Sequence, residues 1–222
     1  MKLTEIQIQQ IDNRLKKDGV KYWDIRIEML DYVVTDVENS LENGEELEKA
    51  ITNSFISLGW KKNYIGGNFE NVVHQRTTIA GKKNKKLFWK YLKDEFKKPK
   101  TILFFLSLAF ILNFFIYSNF VAKVIMAVFI FTKLVLIAFY TVKYKITKSI
   151  QLNFAFQLAT FSLTLFNLFI FLPRVFSENY TYNSEYLLKV LTFLIPLSFL
   201  GIKFFLREYK KVNEIYQKLI SE

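Results

Sequence analysis

One stretch, residues 101–142, constrains the fold more than any other part of the chain. Residues 101–122 form a run of 22 without a charge, which as a helix can cross the roughly 30 Å hydrocarbon core of a bilayer. Residues 121–142 are equally long and are interrupted only by Lys123 and Lys133. Because only Ser118 and Asn119 separate the two runs, the sequence predicts two transmembrane helices in an antiparallel hairpin.

Two more apolar runs follow this hairpin. Residues 151–173 are uncharged, and residues 187–206 carry charge only at Lys189 and Lys203, near their ends. Of the 222 residues, 51% are hydrophobic, and a soluble domain of this length would not contain four long apolar runs. The sequence therefore predicts an all-α protein with a four-helix transmembrane bundle. The predicted spans within residues 101–206 are 101–120, 121–142, 151–173 and 187–206.

The N-terminal part has a different pattern, with apolar residues at helical spacing between glycines. Thr4 and Gln7 have the spacing of a capping box, and Gly19, Gly44 and Gly59 can each end a helix. The sequence predicts a small cytoplasmic three-helix domain over residues 1–62. Its expected core consists of apolar residues on the inner faces of the helices, namely Ile11, Leu15, Leu30, Val33, Val37, Ile51, Phe55 and Leu58.

Three further segments complete the predicted organisation. Residues 63–81 have no sustained period, so we interpret them as a linker. Residues 82–100 contain nine lysines and predict a basic amphipathic juxtamembrane helix, ended by Pro99. Residues 207–222 predict a cytoplasmic tail with a short amphipathic helix. The lysines expected to face anionic lipid headgroups are Lys85, Lys86, Lys90, Lys93, Lys97 and Lys98.

Positive charge is concentrated on one side of the predicted spans. Segments 82–100, 143–148 and 203–222 together contain 17 Lys and Arg, whereas the opposite loops contain Arg174, with Lys123 and Lys189 at span edges. Cytoplasmic loops of membrane proteins carry such an excess of Lys and Arg. We therefore expect a multi-pass protein of the bacterial inner membrane with both termini in the cytoplasm. The basic composition then indicates that the partner is a bilayer with anionic headgroups rather than nucleic acid.

The run from Ile11 to Gly59 resembles the HAAS-type cytoplasmic helical module, also called a permease-prefix domain. The matching positions are Leu15, Asp31, Glu38, Gly44, Ala50, Leu58 and Gly59. The whole architecture also resembles four-span membrane proteins of Bacteroidetes. The resemblance implies a sensory, signalling or regulatory accessory role and names no catalytic residue.

Lys133 is the strongest candidate for a functional residue within the spans. It lies roughly 18 Å and 14 Å from the two ends of its predicted span, and a charge at such depth suggests function by default. No span contains Asp or Glu. Two interpretations stay open, a structural lysine bonded to Asn113 or Gln157 inside the bundle, and a lysine that binds an anion or lines a passage. The intramembrane polar candidates are Lys133, Asn113, Gln157, Thr160, Thr164 and Asn167.

The residues that catalysis or metal binding needs are sparse. The chain has no Cys and one histidine, His74, and it has no Gly-rich phosphate loop and no Ser-His-Asp set. We therefore expect no enzyme, no metal and no cofactor. The leading hypothesis is a regulatory or scaffolding protein in which residues 1–81 bind a protein partner. The alternatives are a small transport or channel component that acts as an oligomer, with Lys133 and the polar face of the third span lining the path, and a membrane-disrupting effector.

Overall fold

The computed structural model describes residues 2–63, 66–114, 118–143, 148–176 and 184–221. Within these ranges the chain is helical apart from one short β-hairpin. The helices are α1 (Glu5–Lys17), α2 (Trp23–Glu42), α3 (Leu47–Ser57), α4 (Glu70–Phe96), α5 (Pro99–Phe114), α6 (Asn119–Val142), α7 (Ile150–Phe176) and α8 (Ser184–Ser221). The strands β1 (Lys61–Asn63) and β2 (Gly66–Asn68) pair antiparallel, with Lys61 opposite Asn68.

Two compact units make up the chain. The N-terminal unit comprises Met1–Lys82 and Lys148–Ile150, and the apolar unit comprises Lys83–Thr147 and Gln151–Glu222. The all-α prediction is confirmed at the level of fold class, with the small hairpin as an addition.

The N-terminal unit contains the three predicted helices. The capping box is present, since the Thr4 hydroxyl accepts from the Gln7 amide while the Gln7 side chain accepts from the Thr4 amide. Gly19, Gly44 and Gly59 follow the helices at positive φ, which favours glycine. Most of the predicted core residues are buried, whereas Leu30 and Leu58 are half-buried. Fully buried residues outside the predicted core include Val20, Met29 and Phe69.

Residues 60–81 complete this unit, so the interpretation of residues 63–81 as a linker is wrong where the structure describes them. The Trp60 indole donates a 2.8 Å hydrogen bond to Asp18, and Phe69 packs edge-on against Phe55. Gly67 is required here, because a Cβ added to it would lie 1.8 Å from the Trp60 ring. From Glu70 the chain continues as α4, so the basic segment 82–100 is mainly the second half of a 27-residue helix.

The apolar unit contains three helices that are long and apolar enough to cross a membrane, within Phe120–Val142, Ile150–Pro173 and Glu185–Lys218. The prediction of four spans is therefore corrected. The first predicted span, 101–120, corresponds to α5, which has 16 residues and would reach only about 24 Å. Its predicted continuation at residues 115–117 lies outside the described residues.

The C-terminal end also differs from the prediction. Residues 207–221 are not a separate tail, because α8 continues without a break from Ser184 to Ser221 and includes Pro196. Its last turns keep an inner face, since Glu208 and Val212 are buried.

Two apolar clusters form the core of the apolar unit. One joins α4, α6, α7 and α8 around Phe88, Leu136 and Phe204. The other joins α5, α6, α7 and α8 around Leu112 and Phe166. Along α6 the residue between these two clusters is Lys133, and it is buried as completely as they are.

Candidate functional site

Lys133 is completely buried within the apolar unit, at 0% exposure. Its inner-face neighbours on α6 are Phe129 and Leu136, one turn away on either side, so the side chain enters the space between the two apolar clusters. Its Nζ donates a 2.7 Å hydrogen bond to the carbonyl oxygen of Ala159 on α7. The ammonium also lies 5.9 Å from the centre of the Phe129 ring, within the range of a cation–π contact.

The accepting carbonyl lies where α7 and α8 approach each other closely. A Cβ added to Gly201 on α8 would lie 3.1 Å from the Ala159 Cα and 3.3 Å from the Leu158 carbonyl oxygen. Ala155 and Ala159 on α7 are both fully buried. Small residues let two helix backbones approach closely, and the lysine bonds to the backbone at this crossing.

The structure does not bring the predicted polar residues together around Lys133. The side chains of Asn113, Gln157, Thr164 and Asn167 are exposed, and the Asn113 amide bonds to its own helix at Ala109. Thr160 likewise donates to carbonyls of its own helix. The expectation that Lys133 faces the interior of the bundle is confirmed. Its partner is a backbone carbonyl rather than Asn113 or Gln157, and a backbone acceptor leaves no signature in the side-chain pattern.

Ser162 adds a second polar group to this region. It lies one turn after Ala159 on α7 and is 2% exposed, and its hydroxyl has no hydrogen-bond partner among the described residues. Among the same residues Lys133 has no ion pair, in keeping with the absence of Asp and Glu from the predicted spans. The arrangement is a buried cation with one fixed acceptor, enclosed by apolar side chains.

The basic part of α4 packs differently from the prediction. The lysines expected to face lipid headgroups, Lys85 to Lys98, are exposed. Part of the opposite side of the helix, however, packs against protein. Phe88 and Tyr91 pack against Phe204 of α8, with ring centres 5.2 Å and 5.5 Å apart. Part of the apolar side of this amphipathic helix is therefore covered by another helix of the same unit.

Glu95 connects α4 to α8 through charge. Its side chain is 5% exposed, and it accepts a hydrogen bond from Lys98 and a 3.0 Å bond from Lys203. The bond from Lys98 lowers the pKa of Glu95, with Lys203 acting in the same direction and burial acting against both. The neighbouring Tyr91 has its pKa raised to about 12, chiefly because its phenol is removed from water.

Asp24, at the start of α2, binds Ile150, the first residue of α7, and Ser149, the residue before it. Its carboxylate accepts from the Ser149 hydroxyl at 2.8 Å and from the Ile150 amide at 2.9 Å. Next to it, the Trp23 amide donates to the Lys148 carbonyl at 3.0 Å. Asp24 thus satisfies an N-terminal amide of α7 and adds negative charge where a helix favours it. Sequence reasoning missed this role, because more than 120 residues separate the partners.

The only histidine lies at a polar cleft of the N-terminal unit. This cleft has a volume of about 460 Å³, and its lining includes Asp18, Tyr22, Glu70 and His74. Within the part of the chain that the structure describes, no group of His, Cys, Asp or Glu residues is arranged to hold a metal ion.

Comparison with protein-family models, curated proteins and solved structures finds no match to this chain. The resemblance of the N-terminal helices to the HAAS-type module therefore stays a prediction.

Proposed function

We propose that this chain is a bacterial inner-membrane protein that regulates or scaffolds a protein partner through its N-terminal unit. The membrane location is supported by the three long apolar helices. The lysines of α4, of residues 143–148 and of the end of α8 support an orientation in which these segments and both termini face the cytoplasm. Three crossings would place the termini on opposite sides, so this orientation requires that α5 also carries the chain across the bilayer, as the shorter arm of a hairpin with α6.

The observation that carries the regulatory role is the hydrogen bonding of Asp24. Helix α7 is apolar along most of its length, yet its first residues belong to the N-terminal unit and are capped by α2. A partner that shifts α2 would change the capping of a membrane helix. This is a direct physical route from a binding event on the helical domain to the start of that helix.

The surface that we propose for the partner is the outer face of α2. Ile27 and Tyr32 expose 38% and 49% of their surfaces there, beside the exposed carboxylate of Asp31. A large aromatic with an adjacent acid suits a partner surface that is apolar at its centre and basic at its rim. The N-terminal 81 residues contain thirteen acidic and ten basic residues, in keeping with a basic partner.

The test uses the full-length protein in its own membrane. A photo-reactive residue at Ile27 is expected to give a discrete cross-linked protein adduct. The charge reversal Asp31→Lys should reduce this adduct several-fold, whereas Glu48→Lys, the same charge reversal at an exposed position of α3, should leave it unchanged. An adduct of equal yield in all three proteins, or none at Ile27, would exclude this face as the partner surface.

A further inference from the structure

A groove of about 800 Å³ lies between α4, α5, α7 and α8 in the apolar unit. Its walls are almost entirely apolar. Leu92 of α4, Leu158 and Leu165 of α7 and Leu197 of α8 form much of the inner surface. The volume lies within the range of about 300–1,000 Å³ that is typical of binding sites for small ligands.

The groove has a polar end and an apolar end along α4. Lys85, Trp89, Leu92 and Phe96 line it at steps of four, three and four residues, so they lie on one side of the helix. Among the described residues that line the groove, Lys85 is the only charged one, and Phe96 lies roughly 16 Å further along the helix axis. A ligand that fills this groove would therefore be long and apolar, with one anionic end at Lys85.

The groove is open to the surroundings of the helices rather than sealed. Trp89, Phe96 and Phe193 line it and expose 53%, 47% and 61% of their surfaces. Lys86, the next residue of α4, is also exposed and adds positive charge at the same end. A molecule that diffuses in the membrane could enter from the side while its charged end stays near these lysines.

We propose that this groove binds one acyl chain of an anionic phospholipid, with the headgroup phosphate held by Lys85. The apolar walls match the chain and the lysines match the headgroup, so both ends of the ligand have a chemical partner in the groove. The proposal rests on the membrane location given above, but it does not depend on the partner surface of α2. It differs from general contact with lipid because it requires one saturable site with a headgroup preference.

Trp89 provides the readout, because brominated acyl chains quench indole fluorescence on contact. The full chain is purified in a non-ionic detergent and titrated with dibromo-acyl phosphatidylglycerol or with dibromo-acyl phosphatidylcholine. The signal from Trp89 is obtained by subtracting the same titration of Trp89→Phe. We expect saturable quenching, with the anionic lipid effective at about fivefold lower mole fraction than the zwitterionic lipid, as one lysine near a headgroup would give.

Two variants with matched controls locate the site. Lys85→Gln should remove the preference for the anionic lipid, whereas Lys90→Gln, an exposed lysine outside the lining, should retain it. Thr192→Phe places a large side chain into the wall and should abolish saturable quenching by either lipid. Thr164→Phe, at an exposed position of α7 outside the lining, should leave it unchanged.

Other outcomes would overturn the proposal. Equal, non-saturable quenching by both lipids in all variants would mean that Trp89 touches only the general lipid layer. Trp89 that stays shielded without added lipid, together with conversion of a dimer to a monomer by Thr192→Phe, would mean that a second copy fills the groove. Release of the protein from membranes by alkaline carbonate would refute the membrane location itself, and cross-linking at Ile27 tests the partner surface separately.

Discussion

At the scale of single residues, the most informative group is the ammonium of Lys133. A lysine withdrawn from water loses hydration energy, and one carbonyl with one aromatic ring returns only part of it. The Ala159 carbonyl is a backbone group of a continuous helix, so it keeps its place in the helix without the lysine. The bond is therefore better explained as a way to satisfy the lysine than as a support for the fold.

Lys133→Met tests this explanation. Met has a similar length and no charge, so the free energy of unfolding in detergent should stay equal or rise by about 1–4 kcal/mol, as when buried ionic groups are replaced by apolar ones. Lys123→Met, at an exposed position of the same helix, should change it by less than about 0.5 kcal/mol. Cross-linking at Ile27 should survive in Lys133→Met.

Two results would contradict this explanation of the Lys133 bond. One is a loss of stability of more than about 2 kcal/mol, which is the size expected when a needed buried interaction is broken. The other is an unchanged stability with all function lost, which would mean that the ammonium binds an anion or lines a passage.

Glu95 should make the stability of the fold depend on pH. Its pKa in the folded protein is lower than the usual value of 4.5, so it stabilises the fold at pH values above 4.5. That stabilisation should be lost as the pH falls from 4.5 through the lower folded-state pKa. Thermal unfolding between pH 3 and pH 7, on the order of one unit per step, should show this loss in the native chain and a smaller one in Glu95→Gln. An identical acid dependence in both proteins would mean that Lys98 and Lys203 contribute nothing through Glu95.

At the scale of secondary-structure elements, the capping of α7 by Asp24 should protect the first amides of that helix from hydrogen exchange. A carboxylate that caps a helix contributes about 0.5–2 kcal/mol. Asp24→Ala should therefore speed hydrogen exchange of the amides at residues 150–152 by roughly 2- to 30-fold in the full-length protein. Asp31→Ala, at an exposed position of the same helix, should leave these rates unchanged. Equal protection of α7 in both variants would argue against capping by Asp24.

The elements also show what the sequence can predict. The helices α1 to α3 follow from their apolar spacing and their glycine stops, because each buries one clear face. The first half of α4 gives no such signal. Residues 70–83 are exposed or half-buried throughout, so no apolar stripe marks the helix, and Gly81 lies inside it. The sequence also predicts the end of α8 as a separate tail. Its many charged residues give no sign that the helix continues from the apolar part.

The candidate site was less predictable than the fold. The sequence identified Lys133 as unusual and its inward orientation was expected, but the partner carbonyl of Ala159 was not. The same holds for Glu95, whose partner Lys203 lies 108 residues away. Contacts of this kind depend on how helices pack across the chain, and a pattern read along one helix does not contain that information.

At the scale of the whole molecule, the stability of the N-terminal unit depends on its buried apolar core. Val33 is fully buried in the N-terminal unit, so Val33→Asp should unfold that unit because an unpaired buried charge is not tolerated. Thr35→Asp, two residues away and exposed, should have little effect. Hydrogen exchange of residues 5–57 in the full chain distinguishes the two. Native protection in Val33→Asp would show that this core is wrongly defined.

The orientation in the membrane is the claim on which the functional account depends, and the chain contains no cysteine to interfere with its measurement. Single cysteines are placed at Lys49, at Asn179 and at Glu214, and intact cells are treated with a membrane-impermeant maleimide. Position 179 lies outside the described residues, in the segment between α7 and α8. We predict labelling of Asn179→Cys in intact cells, and labelling of Lys49→Cys and Glu214→Cys only after the membrane is permeabilised. Labelling of Lys49→Cys in intact cells would contradict the account.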